Sequence, residues 1–262
     1  MTPHHARSIE NLTTTLAGDP SILALILGGS LAHGFARPDS DIDVTLVVST
    51  DELNRRRAEG RLHYNNRALC TYDGYIDGKY VDVPFLEQVA ARGSDPIRYA
   101  YEGNRVLFSR IDGLEALLAS ITRFPLEQKQ ERRERFAAQL LAWRWYYSES
   151  LRQRNRYLSF LALQKLVLFS TRLVLNENEL LFPYHKWMLR VLDSAPRKPE
   201  GFLAALEALL TFPPWETVDR HVRDLLAFIG VDFGAADAAW PTRFMHDTEL
   251  RWLAHETCID DI

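Results

Sequence analysis

The chain has 262 residues and a formal net charge of −4, from 31 basic and 35 acidic side chains, so no whole-molecule attraction to nucleic acid is expected. Hydrophobic residues at 47% and charged residues at 25% exclude a disordered chain and fit an ordinary globular one. The two cysteines, Cys70 and Cys258, form no disulfide framework; a single bridge between them stays open, but a reducing, cytoplasmic setting is the expectation.

In chain order, Met1 to Asn11 lacks the apolar core of a signal peptide. Ile22 to Leu27 is a continuous apolar run ending at Gly28-Gly29, which predicts a buried central strand. Ile42 to Val48 is rich in β-branched residues and predicts a second strand. Asp77-Gly78 reads as a hairpin turn, with strands over Ala68 to Ile76 and Lys79 to Leu86 on either side. Arg105 to Phe108 predicts a further short strand. From about Pro125 the period becomes helical: Phe136, Leu140, Trp143, Tyr147 and Leu151 share one face. Further helices are expected over Asn155 to Leu175, Pro183 to Asp193, Pro199 to Leu210 and Trp215 to Ile229. The most apolar run, Tyr157 to Leu175, carries Gln164, Lys165 and Arg172, which a bilayer would penalise, so no membrane span is expected. The chain thus divides at about residue 120, with 1–120 mixed in character and 121–262 helical.

The chemistry is concentrated early. Leu27-Gly28-Gly29-Ser30 runs a strand into a tight turn, with a short helix predicted from Ser30. Glycines there let the backbone approach a phosphate, and Ser30 adds a hydroxyl donor. Such a turn is equally common as plain turn chemistry. Asp41 and Asp43 are more telling, because residues i and i+2 of a strand project from the same face. Two carboxylates held together need a compensating cation, and Mg²⁺ takes oxygen ligands while also holding phosphates. A solvent-exposed edge pair is the bland alternative. Asp82, between Val81 and Val83, places a third carboxylate in an apolar stretch. Three converging carboxylates would suit two divalent ions; otherwise Asp82 faces solvent from an edge strand.

Gly29-Ser30, a gap of ten residues, Asp41-x-Asp43 and the later Asp82 resemble the signature of the DNA polymerase β nucleotidyltransferase superfamily. With a helical C-terminal half, the chain is similar to the aminoglycoside nucleotidyltransferases and the minimal bacterial nucleotidyltransferases. The resemblance covers roughly residues 20 to 90. It implies an α+β fold, with a small mixed β-sheet domain flanked by helices and followed by an α-helical bundle. It also implies Mg²⁺, two ions in all, and an NTP donor (ATP or another) whose nucleoside monophosphate is transferred. By the match, Gly29 and Ser30 would bind phosphate, and Asp41, Asp43 and Asp82 would serve as metal-holding catalytic residues. Many minimal members carry arginine where this chain has His33; His33 could donate to a phosphate oxygen or, on the plainer and favoured reading, packs or caps, and Arg37 is another cation near the loop.

Lys186, in Pro183-Tyr184-His185-Lys186-Trp187, could reach a triphosphate from the helical half, or be a surface lysine beside a packed Trp187. Trp145 and Tyr146 lie off the predicted core face and could line an acceptor pocket or a second helix interface. Between Arg123 and Arg156, nine basic residues face four glutamates. A solvated face with i, i+4 pairs explains most of them, and a tRNA partner is the secondary reading. Lys165 reads as a side chain snorkelling from an apolar helix, with a second phosphate contact as the alternative. The base that takes the acceptor proton is not fixed by spacing: Asp82, Glu102 and Glu149 are all candidates. His4, His5, His185, His221, His246 and His255 show no zinc-ligand spacing. The expected reaction joins an NTP to a hydroxyl of a small molecule, aminoglycoside-like by the resemblance. Protein or tRNA as acceptor, and a non-catalytic nucleotide-binding module, are the rivals.

Overall fold

The computed structural model describes residues 1–254 and 259. It divides into two units, Met1–Arg123 and Phe124–Ile262. Cys258 and His255 lie outside the described residues, and Cys70 is a free thiol.

The first unit is built on a mixed five-stranded sheet in the order β3-β4-β2-β1-β5. Its strands are β1 (Ile22–Leu27), β2 (Ile42–Val48), β3 (His63–Asn66), β4 (Ile76–Val81) and β5 (Arg105–Ser109). β1 is antiparallel to both neighbours, β2 and β5. Its unbroken apolar sequence follows from cover on both faces. One face carries Ile42, Val44, Leu46 and Val48 of β2, packed with Ile9, Leu12 and Leu16 of α1 (Pro3–Ala17) and Leu53 of α3 (Thr50–Ala58). The other carries Val47 and Val81, packed with Leu86 and Val89 of α4 (Val83–Arg92) and Leu114 and Leu118 of α6 (Leu114–Ile121). Two short helices complete the unit, α2 (Gly29–Ala32) after β1 and α5 (Asp95–Tyr99) before β5.

Three strands fall where the sequence puts them, and the middle of the unit does not. Asp77-Gly78 is no hairpin turn: both residues lie inside β4, which pairs in parallel with β2 and antiparallel with β3. A Cβ on Gly78 would stand 2.8 Å from both Cγ2 and the carbonyl oxygen of Val44. The glycine is there for close strand approach. The segment after Val81 is helix, because Asp82 caps α4 and Pro84 sits in its first turn.

The second unit is helical. α7 (Lys129–Arg152) and α8 (Arg156–Glu177) make its largest helix pair, followed by α9 (Met188–Ser194), α10 (Phe202–Leu209), α11 (Trp215–Phe228) and α12 (Phe233–Phe244). Phe136, Leu140 and Tyr147 of the predicted α7 face are buried, whereas Leu151, in the last turn, is exposed. α8 is the one helix among the described residues long and apolar enough to cross a membrane, and most of it is buried within the unit. Its Arg172 is 1% exposed, with its guanidinium 4.7 Å from the Phe136 ring centre and 4.3 Å from that of Phe182. The helix expected from Pro183 starts only at Met188, since Tyr184 has φ of +65° and breaks a helical path.

Candidate active site

The C-terminal end of β1 and the N-terminal end of β2 meet at the glycine turn. Gly28 donates its N–H to the Asp43 carbonyl at 2.9 Å, joining the turn to the strand that carries the acidic pair. Gly29 has φ of +60°, and a Cβ there would lie 1.8 Å from Asp43 Oδ2. Backbone conformation and space both demand glycine, so the turn lies directly on the Asp43 carboxylate. Ser30 follows in the first turn of α2, its buried hydroxyl oxygen without a hydrogen-bond partner among the described residues. The first N–H groups of a helix have no intrahelical acceptor, so hydroxyl and backbone together offer donors to an anion beside Asp43.

Asp41 and Asp43 are half-buried. The loop leading into them is tied by three hydrogen bonds: His4 Nε2 to the Pro38 carbonyl (2.8 Å), and His5 Nε2 (2.9 Å) and the Tyr72 hydroxyl (2.6 Å) to the Ser40 carbonyl. Burial pushes the Tyr72 phenol up to about 12, and the charges of Cys70, Asp41 and Asp43 push the same way. The Asp41 charge also raises Tyr75, which hydrogen-bonds to that carboxylate. His4, His5 and Tyr72 had no signal in the sequence, because their contact with the loop joins residues more than 30 positions apart.

Asp82 is not with them. Val81 pairs with Val47 in the parallel β2–β4 register, which sets Asp82 five residues along the strands from Asp43, about 16 Å at the usual rise. Its carboxylate is engaged: Oδ1 accepts the Phe85 N–H and Oδ2 the Thr50 hydroxyl, both at 3.0 Å, and the residue is 7% exposed. The expected convergence of Asp82 with Asp41 and Asp43 is therefore corrected: it is a helix cap at the other end of the sheet.

The acidic residue that the register does bring to Asp43 is Asp77, its direct partner on β4. Neighbouring strands lie about 4.8 Å apart, and parallel partners share a face. Asp77 Oδ1 is 2.5 Å from His63 Nε2. The sequence offered a cue in Ile76-Asp77, an acid at the start of an apolar strand, but Asp-Gly reads first as a turn. Lys79 leaves the same face two residues on. Its side chain is exposed; nearby protein holds its ammonium below the ordinary lysine value, and Asp43 partly offsets this.

Among the described residues no three carboxylate, imidazole or thiol side chains form a ready-made metal cluster. The donors present still fit Mg²⁺, which takes one or two carboxylates and completes its shell with water and phosphate oxygens. Asp41 and Asp43 supply those carboxylates, and the Gly29 backbone leaves no side chain over Asp43.

The remaining predicted residues divide by unit. His33 stacks on Tyr99 (ring centres 4.5 Å apart, 10° between planes), and burial lowers its pKa, as befits a packing residue. Arg37 is exposed and paired with Asp39. Glu102, an exposed residue of the first unit in the turn after α5, has its carboxyl raised by desolvation from nearby protein. Lys186, in the second unit, is exposed, with Nζ 5.4 Å from the Trp187 ring centre. Glu149 is held by Arg152 and Gln153, which lower its pKa. The basic residues of α7 are largely spent inside the second unit: Lys129 on Glu179, Arg133 on Glu177, Arg135 on Asp247 and Arg144 on Asp219. Trp145 is 45% exposed and sits in a ring cluster with Tyr146 and Trp240. Lys165 Nζ is 5.9 Å from the Trp143 ring centre.

The family model of the nucleotidyltransferase domain matches residues 10–141, half of the chain. Among solved structures, a nucleotidyltransferase-like protein from Exiguobacterium sibiricum is 12% identical, with a TM-score of 0.46 over 94% of this chain and 81% of that one. None of the curated proteins compared matches this chain.

Proposed function

The chain belongs to the nucleotidyltransferase domain family, and from that premise we propose that it moves a nucleoside monophosphate, AMP from ATP, onto a hydroxyl of a small aminoglycoside-like molecule, with Mg²⁺. The observation that carries this reading is the contact of the Gly29 backbone with the Asp43 carboxylate. It sets a phosphate-type turn against one of two same-face acids, with Asp77 alongside.

Asp41 and Asp43 would hold the ions; a divalent ion bound there neutralises phosphate charge and favours ionisation of the acceptor hydroxyl. Ser30 and the amides of α2 grip the terminal phosphates, positioning the α-phosphorus for attack. The acceptor oxygen forms a bond to that phosphorus, its proton passes to Asp77, and the bond to the β-phosphate oxygen breaks to release pyrophosphate. Asp77 replaces Asp82 as the third acid in this assignment. Lys186 is retained as a proposed phosphate contact. The ion pairing of α7 leaves little basic surface for tRNA, which favours a small acceptor. A cytoplasmic setting, with ATP and Mg²⁺ both present, suits the reaction.

The test incubates the purified chain with Mg²⁺, α-labelled ATP and a panel of aminoglycosides and other polyhydroxy compounds, alongside a cell lysate. Label appearing in a small compound with equimolar pyrophosphate supports the reading. Label confined to a protein or RNA band, or binding of ATP with no pyrophosphate release, contradicts it.

A further inference from the structure

The backbones of Asp43 and Asp41 are held in different ways. Asp43 lies inside β2, in register with Asp77, and its carbonyl accepts the Gly28 N–H. Asp41 stands one residue before that strand begins, at the end of a turn whose Arg37, Pro38 and Asp39 are exposed. The turn's own bonds are local: the Ser40 N–H donates to the Arg37 carbonyl and the Arg37 N–H to the Ser40 hydroxyl. Its outer anchors come from the start of α1 and from the segment before β4. His5 Nε2 and the Tyr72 hydroxyl both donate to the Ser40 carbonyl, at 2.9 and 2.6 Å. That oxygen belongs to the planar peptide group joining Ser40 to Asp41, so two donors on it fix the plane from which Asp41 departs. His5 is fully buried. A carbonyl only accepts, so Nε2 carries the proton, and Nδ1 of the neutral ring accepts from the Thr2 hydroxyl at 2.8 Å. The Tyr72 ring packs on His4 and His5, with ring centres 4.6 and 5.0 Å away. An apolar side chain would serve packing alone at position 5; an imidazole bonded at both nitrogens also aims a donor.

We propose that His5 and Tyr72 are positioning residues for Asp41, a clamp by which the first turn of α1 sets the spacing of the two acids and so the affinity of the site for a divalent ion. Both act through the Ser40–Asp41 peptide group and not by contact with the ion. Asp43 needs no such clamp, because the sheet holds its backbone. Ser8 and Thr71 join the same two segments without touching the turn, Ser8 Oγ accepting the Thr71 N–H at 2.9 Å, and they supply the comparison for a purely structural tie. The proposal rests on the assignment of Asp41 and Asp43 as metal ligands.

The test titrates the full-length, nucleotide-free chain with Mn²⁺, following free ion by electron paramagnetic resonance, and records Tm for each variant. Tyr72→Phe, which keeps the ring and loses the donor, and His5→Leu are each expected to weaken Mn²⁺ binding by about tenfold, the low end of what an outer-shell partner of a ligand contributes. His5→Gln, whose amide can donate from the place of Nε2, should bind like the parent. Ser8→Ala should lower Tm, since it strips an acceptor from the Thr71 amide, and leave Mn²⁺ affinity unchanged. Unchanged affinity in Tyr72→Phe or in His5→Leu overturns the proposal, as does an equal weakening in Ser8→Ala, which would tie the loss to stability alone. Failure of the underlying assignment looks different: the parent would take up no Mn²⁺, or Asp41→Asn would bind it as well as the parent does.

Discussion

The parallel strands β2 and β4 carry acids at both ends, and the two ends use them in opposite ways. At one end, Asp82 is buried and both its oxygens accept hydrogen bonds from groups of the protein itself, the Phe85 amide and the Thr50 hydroxyl. At the other, Asp43 and Asp77 stand side by side, half-buried, under a glycine turn that presents backbone rather than a side chain. A buried acid whose bonds are all made within the fold is a structural element. Acids grouped beneath a turn that brings bare backbone against them are a place for something that binds.

The largest effects should therefore appear at the open end. Asp41→Asn and Asp43→Asn are each expected to lower pyrophosphate release by at least about a thousandfold, since under the proposed assignment each removes a ligand of the ion that offsets transition-state charge. Their melting temperatures should be equal to or above the parent's, because a repulsion is relieved. Gly29→Ala should come next. It forces a side chain into the Asp43 carboxylate and into a left-handed conformation, so activity should fall at least about a hundredfold with a stability loss of about 1–3 kcal/mol by chemical denaturation. Asp77→Asn is expected to cost about a hundredfold in kcat with little change in stability, as befits a general base.

At the closed end the pattern reverses. Asp82→Ala should destabilise the chain by about 1–2 kcal/mol through loss of the α4 cap and change kcat less than about threefold. Asp82→Asn, which can still cap, should be nearly silent in both. A large loss of kcat in Asp82→Asn would erase the contrast between the two ends.

A group satisfied inside the second unit sharpens the rule. His221 hydrogen-bonds Ser170 at 2.9 Å, and burial lowers its pKa to about 4, Asp224 opposing. With the folded value below the unfolded one of about 6.5, the unfolded chain takes up protons first. Stability should fall as pH drops from about 6.5 to about 4 and stop falling below that, by at most about 3 kcal/mol. Urea titrations of the parent and of His221→Gln between pH 7 and pH 4 check this: the variant's stability should be flatter over that window.

What could be read in the sequence follows the same physical line. β1 and β2 were legible because burial on both faces writes itself as an apolar run, and the Asp41–Asp43 pair because strand alternation is local. α7 and α8 were legible by their period. β3 and β4 were not, since their pairing is long-range and Asp77-Gly78 carries the strongest local turn signal in the region. The pairing overrides that signal, with Gly78 fitting against Val44. Asp82 was misplaced although the cue was present: Asp-Val-Pro is a helix start, with a capping acid and a proline in the first turn. The flanking Val81 and Val83 read as strand instead. The loop ties from His4, His5 and Tyr72 could not be read, because no local pattern encodes a contact between a first helix and a distant turn.

The most direct test is anomalous diffraction from a crystal grown with Mn²⁺ and a nonhydrolysable ATP analogue. The account predicts a peak within about 2.0–2.2 Å of carboxylate oxygens of both Asp41 and Asp43, the distance expected for a hard divalent ion on oxygen, with Asp77 facing the α-phosphate. A peak on Asp82, or none near Asp43 with the nucleotide bound, would contradict it.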